Sequence, residues 1–297
     1  MTQQNQIMKD KKIKTKEQLA RYRKEQLKYI LIHFGIIIFA FICVYPLLRI
    51  FSISIRPGDR VISTDLSLWP SGATFISYVK LLKNTNFLIW LWNSLVITVS
   101  TSFIGVSLAS TAAYAFSRFK FPGKKMGLVL LLSSQMIPAG MLILPLFLMI
   151  MKLGLMNSYL GMIIAYSVSA LPFSIWILKG YYDTIPRSLE EAALVDGTSY
   201  VGAFWHIVLP LSTPALSIAF LFNFTMAWNE YLIARVVLFS SKQYTWTLGI
   251  FELQGQFITQ WGMFAAGSML VTIPVLIVFL YSSKWLMSGL TLGGVKG

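Results

Sequence analysis

Six long apolar runs dominate this chain and leave it few folds. They cover roughly residues 29–52, 87–117, 126–151, 159–178, 207–233 and 262–286. A helix needs about 20 mostly apolar residues to cross the hydrocarbon core of a bilayer. Backbone groups in that core must be satisfied within the segment, so such runs fold as helices. The sequence therefore predicts an all-α integral membrane protein with six transmembrane helices. Charged residues make up only 12% of it, against about 25% in soluble domains. The second run is long enough to tilt or to project from the bilayer. Prolines in or at the runs, among them Pro138, Pro172, Pro210 and Pro214, mark kinks and helix starts.

Charge sets the orientation. The net charge is +14, and nine of the 25 Lys and Arg precede the first run. That distribution suits a tail beside an anionic lipid surface rather than a nucleic-acid site. With the N-terminus in the cytoplasm, residues 1–28, 118–125, 179–206 and 284–297 hold 17 Lys and Arg, and the exterior segments hold seven. Both termini are then expected in the cytoplasm. The expected plan is a basic tail (1–28), a six-span domain (29–290) and a short C-terminal tail (291–297). Exterior loops fall at 53–86 and 234–261, and a cytoplasmic loop at 179–206. The N-terminal stretch lacks the short apolar core and small-residue cleavage site of a removable signal. Cys43 is the single cysteine, so no intrachain disulfide or cysteine metal cluster is expected.

The loop 179–206 carries the most informative motif. Glu191-Ala192-Ala193 is followed by Gly197 and, after nine intervening residues, by Ile207-Val208-Leu209-Pro210. Ser188 and Glu191 have the spacing of a capping box. Glu190 and Glu191 in a first turn would suit the helix dipole. Gly197 can end the helix in the left-handed conformation, and Thr198 or Ser199 can cap a second helix near Tyr200. Such a pair suits a rigid element that passes movement from a soluble partner to the spans. The plainer reading is an ordinary capped loop helix. Gly123-Lys124-Lys125 lacks the earlier glycine and the hydroxyl residue of a phosphate-binding loop, so no ATP site is expected.

Polar residues within spans are candidates for a translocation path. They are Asn93, Gln135, Asn223, Met226, Trp228, Asn229 and Glu230. Asn223, Met226 and Glu230 share one face of the fifth run. Amides in bundles also bridge helices, so lining and bridging both stand. An ion-coupled carrier would need mid-membrane carboxylate pairs or histidines, and His33 and His206 both lie near cytoplasmic ends. An intramembrane enzyme would need a nucleophile–base or metal set, and none is evident. In the second exterior loop, Trp246, Gln254, Gly255, Gln256 and Phe257 offer amides and aromatics for contact with an extracytoplasmic partner. Gly249 and Gly255 would allow close backbone approach there, and the rival reading is a self-packed cover.

Further motifs give the chain a family resemblance. They are Leu91-Trp92-Asn93-Ser94, Ala113-Tyr114-Ala115-Phe116, Arg118-Phe119-Lys120-Phe121-Pro122-Gly123-Lys124 and Lys179-Gly180-Tyr181. Ser188-Leu189-Glu190-Glu191-Ala192-Ala193 with Asp196-Gly197 follows, and the ending Gly289-Leu290-Thr291 through Gly293-Gly294-Val295-Lys296-Gly297 is the most specific element. From about residue 30 the chain resembles the permease subunits of bacterial ATP-driven sugar importers, in their maltose-type branch. The resemblance implies a type I importer (MetI-like) permease fold in the bacterial cytoplasmic membrane, and no enzyme. It implies coupling to an ATPase through Glu190, Glu191, Ala192, Ala193, Asp196 and Gly197. It also implies a C-terminal contact with that ATPase through Gly293, Gly294, Val295, Lys296 and Gly297. Expected partners are a second homologous permease, two ATPase copies, an extracytoplasmic solute-binding protein, membrane lipid and a sugar, with ATP and Mg on the ATPase alone. The N-terminus, the first exterior loop and residues 254–258 depart from the maltose pattern. The solute could thus be another polyol, polysaccharide or glycerol-phosphate type, and an ion-coupled carrier is the more distant alternative.

Overall fold

The computed structural model describes residues 2–58, 67–255 and 259–293, with side-chain surroundings from residue 21 to residue 285. Every regular element among them is helical. Helix α1 (Thr2–Ser54) joins the basic tail and the first apolar run without a break. A short α2 (Ile76–Asn84) leads to α3 (Phe87–Arg118), and α6 (Tyr159–Tyr182) and α13 (Trp261–Gly293) are also continuous. Among the described residues four helices are long and apolar enough to cross a membrane, or up to six if each of two bent pairs is one span.

Two of the six runs are broken. The third divides into α4 (Lys124–Ser134) and α5 (Ala139–Lys152), bent by 105° at Gln135–Pro138. The fifth divides at Ser212. On one side lie α8 (Tyr200–Ala203), a π turn (Phe204–Val208) and α9 (Leu209–Leu211). On the other lies α10 (Thr213–Trp228), bent by 78°. The pairs on either side of each break are together apolar enough to cross a membrane, which is why the sequence reads each as one span with a proline kink. Pro138 and Pro214 explain their positions: each lacks a donor N–H and restricts the residue before it, so a helix stops and the next begins.

Helix α3 is the spine, and its buried stripe is small and polar. Ser94, Thr98, Thr101, Ser102, Gly105, Ala109 and Ala113 recur at helical spacing. Against it α6 sets Gly161, Ala165, Ala170 and Ser174. Without a hydrophobic drive between helices in lipid, such residues let backbones approach and gain dispersion contact. Two clusters result along α3. One, near its start, includes Phe87, Trp90, Ile97, Phe224, Trp228, Leu248 and Ile250. The other, near its end, includes Ala113, Tyr114, Leu178, Tyr182, Phe204 and Val208. At about 1.5 Å per residue α3 is roughly 48 Å long, so the clusters sit at opposite ends of the bundle.

Candidate functional site

The motif loop folds as two short helices at the end of α3. Helix α7 (Arg187–Val195) begins after Pro186. The expected capping box is not formed: the helix starts one residue before Ser188, which lies inside the first turn and makes no cap bond. Its far end follows the sequence reading. Gly197 has φ +89°, a left-handed conformation. The Thr198 N–H donates to Ala193 O (2.9 Å) and the Gly197 N–H to Leu194 O (3.1 Å). That is the Schellman pairing, which satisfies carbonyls orphaned at a helix end. Ser199 then caps α8, its Oγ accepting from the Gly202 N–H at 3.1 Å.

The two adjacent acids point opposite ways. Glu190 is 5% exposed. Its Oε1 accepts from Arg118 Nε at 2.6 Å and its Oε2 from the Tyr114 hydroxyl at 2.8 Å. Arg118 also donates to Ile185 O (3.1 Å), and Arg187 donates to Ser117 O (3.1 Å). Beside this clasp, the Ser117 hydroxyl donates to Asp183 Oδ1 (2.7 Å) and Lys179 to Asp183 Oδ2 (2.5 Å). Burial pushes the Asp183 carboxyl up, but the bonds from Lys179 and Ser117 outweigh it and hold the group below its ordinary 3.8. Glu191, Ala192, Asp196 and Gly197 are exposed, and Ala193 is half-buried. Around them Leu189, Val195, Tyr200, Val201 and Trp205 are exposed too, Val195 at 88%. The motif thus has one face bolted to the spans and one open face that mixes apolar groups with Glu191. The sequence alone did not reveal Tyr114, Ser117, Arg118 and Asp183 as its supports. The available signal was that an arginine, Arg118, ends the neighbouring span close to a motif that holds two acids.

The other candidates divide between packing and a groove. Asn93 is buried and ties three elements together: its Nδ2 donates to Lys242 O and Tyr244 O, both at 2.9 Å, and its Oδ1 accepts from the Tyr159 hydroxyl. Asn223 is also buried. Its Oδ1 accepts from Ser174 (2.8 Å), and its Nδ2 lies where a Gly105 side chain would stand. These two amides bridge helices. Trp228 is buried and stacks on Phe224 at 5.4 Å, and Asn229 is exposed and bonds its own helix at Thr225 O. Gln135, Met226 and Glu230 come together around a groove of about 770 Å³ beside the α4–α5 break, with Ser169, Pro172 and Ile233. Glu230 has a structural task there as well: its oxygens accept from the N–H groups of Ile233 (2.8 Å) and Ala234 (3.1 Å).

Residues 232–255 are not an open loop. They form α11 (Leu232–Val237) and α12 (Trp246–Glu252), packed into the core. Trp246 is half-buried, its ring N–H donating to Trp228 O (2.8 Å) and its backbone N–H to Ser94 Oγ (2.7 Å). A Cβ at Gly249 would meet the Trp90 ring at 2.0 Å, so this glycine lets α12 lie flush on α3. Its close approach is internal, contrary to the expectation of a partner contact, because Trp90 already occupies the space. Gln254 is half-buried and Gly255 exposed. Gln256 and Phe257 lie outside the described residues, as do Gly294, Val295, Lys296 and Gly297. Gly293 is the last residue of α13. Among the described residues no group of His, Cys, Asp and Glu could hold a metal.

Among the described residues, four membrane-length helices and two broken helix pairs, with the motif helices clasped at one end of α3, make up a helical membrane protein. Residues 102–289 match the family described as "Binding-protein-dependent transport system inner membrane component". The chain belongs to that family. It is 34% identical over 290 residues to the maltose/maltodextrin transport system permease protein MalG of Salmonella typhimurium, covering 93% of this chain and 98% of the relative. It is 36% identical over 277 residues to the galactooligosaccharides transport system permease protein GanQ of Bacillus subtilis, covering 91% and 97%. A solved bacterial ABC transporter for import of the acidic polysaccharide alginate superposes with a TM-score of 0.74 at 26% identity, covering 88% of this chain and 97% of that one. The chain is therefore a permease subunit of a binding-protein-dependent transport system of the bacterial inner membrane, and not an enzyme.

Proposed function

We propose that this subunit moves a maltose-like oligosaccharide into the cytoplasm, driven by a separate ATPase that docks on α7. The observation that carries this reading is the two-faced motif: Glu190 is clasped inward while Glu191, Ala192 and Val195 stand exposed beside it. A helix held this way moves as a unit, as force transmission requires. The Glu190 end of the bundle is then cytoplasmic, with both termini on that side, in keeping with the lysine and arginine distribution.

A second permease subunit completes the path, on the face bearing the α4–α5 break. Irregular backbone at membrane depth is tolerated only where protein or an aqueous cavity covers it. Met136 in that break is 84% exposed, and the groove beside it holds Gln135 and Glu230. The Trp246 end faces an extracytoplasmic binding protein, with Gln254 and Gly255 at its surface. The relatives carry different sugars in their names, so the solute is identified by uptake.

The test is to co-purify the tagged chain with its ATPase, then measure uptake in proteoliposomes with the binding protein. Maltodextrins, galactooligosaccharides and alginate oligomers compete in turn. Inhibition by maltodextrins is expected. Failure of the ATPase to co-purify would overturn the coupling role, and inhibition by alginate oligomers alone would overturn the substrate.

A further inference from the structure

The fastening of α7 determines which span it drives. Four polar links join it, or Ile185 two residues before it, to the last turns of α3: Tyr114 to Glu190, Arg118 to Glu190, Arg118 to Ile185 O, and Arg187 to Ser117 O. The central ion pair is almost fully enclosed, its side chains 7% and 6% exposed. Separating α7 from α3 would leave two charges buried without partners, which is strongly unfavourable. The two helices therefore move together.

The covalent route from α7 to α10 is of another kind. It passes Gly197 at φ +89°, the π turn Phe204–Val208 and the 78° bend at Ser212. Glycine breaks, π turns and bends are where helical chains yield. A displacement entering at α7 meets a short stiff route to α3 and a long compliant one to α10.

Resting on the reading of α7 as the ATPase-driven helix, we propose that Arg118 is a positioning residue for energy coupling. Through Glu190 it makes α7 a rigid extension of α3, so that movement enters the bundle at α3, along which α6 and α10 both pack, rather than through the bent chain that runs on from α7 to α10.

The complete complex in proteoliposomes tests this, with sugar moved per ATP hydrolysed as the readout. Arg118→Gln is expected to leave assembly and ATP hydrolysis in place and to lower sugar per ATP by roughly tenfold. Arg118→Glu combined with Glu190→Arg is expected to recover most of that loss, which a general packing defect would not allow. Unaltered sugar per ATP in Arg118→Gln, or a double variant no better than either single one, overturns the proposal. Should Arg118→Gln fail to assemble, Glu190→Gln, which keeps the shape and removes the charge, is measured instead, and an unaltered ratio there overturns it equally. If the ATPase does not co-purify even with the unsubstituted chain, the coupling reading itself falls and this role with it.

Discussion

The two ends of α3 handle a long connecting segment in opposite ways. At its start, residues 232–255 fold back into the core: Tyr244, Leu248 and Ile250 are buried, and Asn93 and Trp90 hold the backbone of residues 241–244. At its end, residues 187–201 are fastened through a few polar links and otherwise mostly exposed, with Ala193, Leu194 and Thr198 half-buried. The first arrangement gains stability from apolar burial and satisfied amides. The second keeps a surface free and spends little burial on itself. Substitutions at one end should act on folding, and at the other on transport.

Gly249→Leu should have the largest effect on folding, since its side chain would enter the Trp90 ring. A cost of about 3 kcal/mol or more is expected from overpacking, read as early thermal unfolding in detergent. Asn93→Ala should follow at about 2–3 kcal/mol, because it strands two carbonyls and the Tyr159 hydroxyl. Gly197→Ile forces a β-branched residue into a left-handed conformation and should cost about 1–3 kcal/mol locally. Its unfolding temperature should stay near that of the parent while uptake is abolished, and normal uptake at equal expression would break the comparison. Val195→Ser, on the open face, should change stability by less than about 0.5 kcal/mol yet weaken ATPase co-purification. Asp183 sharpens the contrast with the smallest effect. Its folded carboxyl titrates below 3.8, so its contribution is present above that pH and fades as pH falls through the lower folded value. The group is partly exposed, which screens the effect. In Asp183→Asn the acid limb of the stability curve below 3.8 should flatten slightly.

How far the sequence reaches is clear from particular residues. Apolar length identified α1, α3, α6 and α13, because a continuous run of 20 or more residues leaves no other choice in lipid. The Gly197 helix end and the Ser199 cap were legible because both depend on neighbouring residues only. Helices α11 and α12 were not, being too short for their periodicity to separate them from a loop. The clasp was hidden because Arg118 and Glu190 lie 72 residues apart, and nothing local marks which of two adjacent acids turns inward. The break at Gln135–Pro138 was hidden for the opposite reason: the two sides together are apolar enough for one span, and Pro138 by itself fits a mild kink as well as a 105° turn.

That break has a consequence for the life of the protein in the cell. Helix α5 restarts at Ala139 with backbone N–H groups that have no partner inside the helix, and the residues before it are open on one side. Lipid offers such groups nothing. If a second permease covers that face, as proposed, a newly inserted copy is a perishable intermediate, competent only while its companion is being made beside it. Overproducing this polypeptide alone should swell the traffic to membrane proteases rather than the amount that accumulates, and the supply of the companion should set how many copies survive.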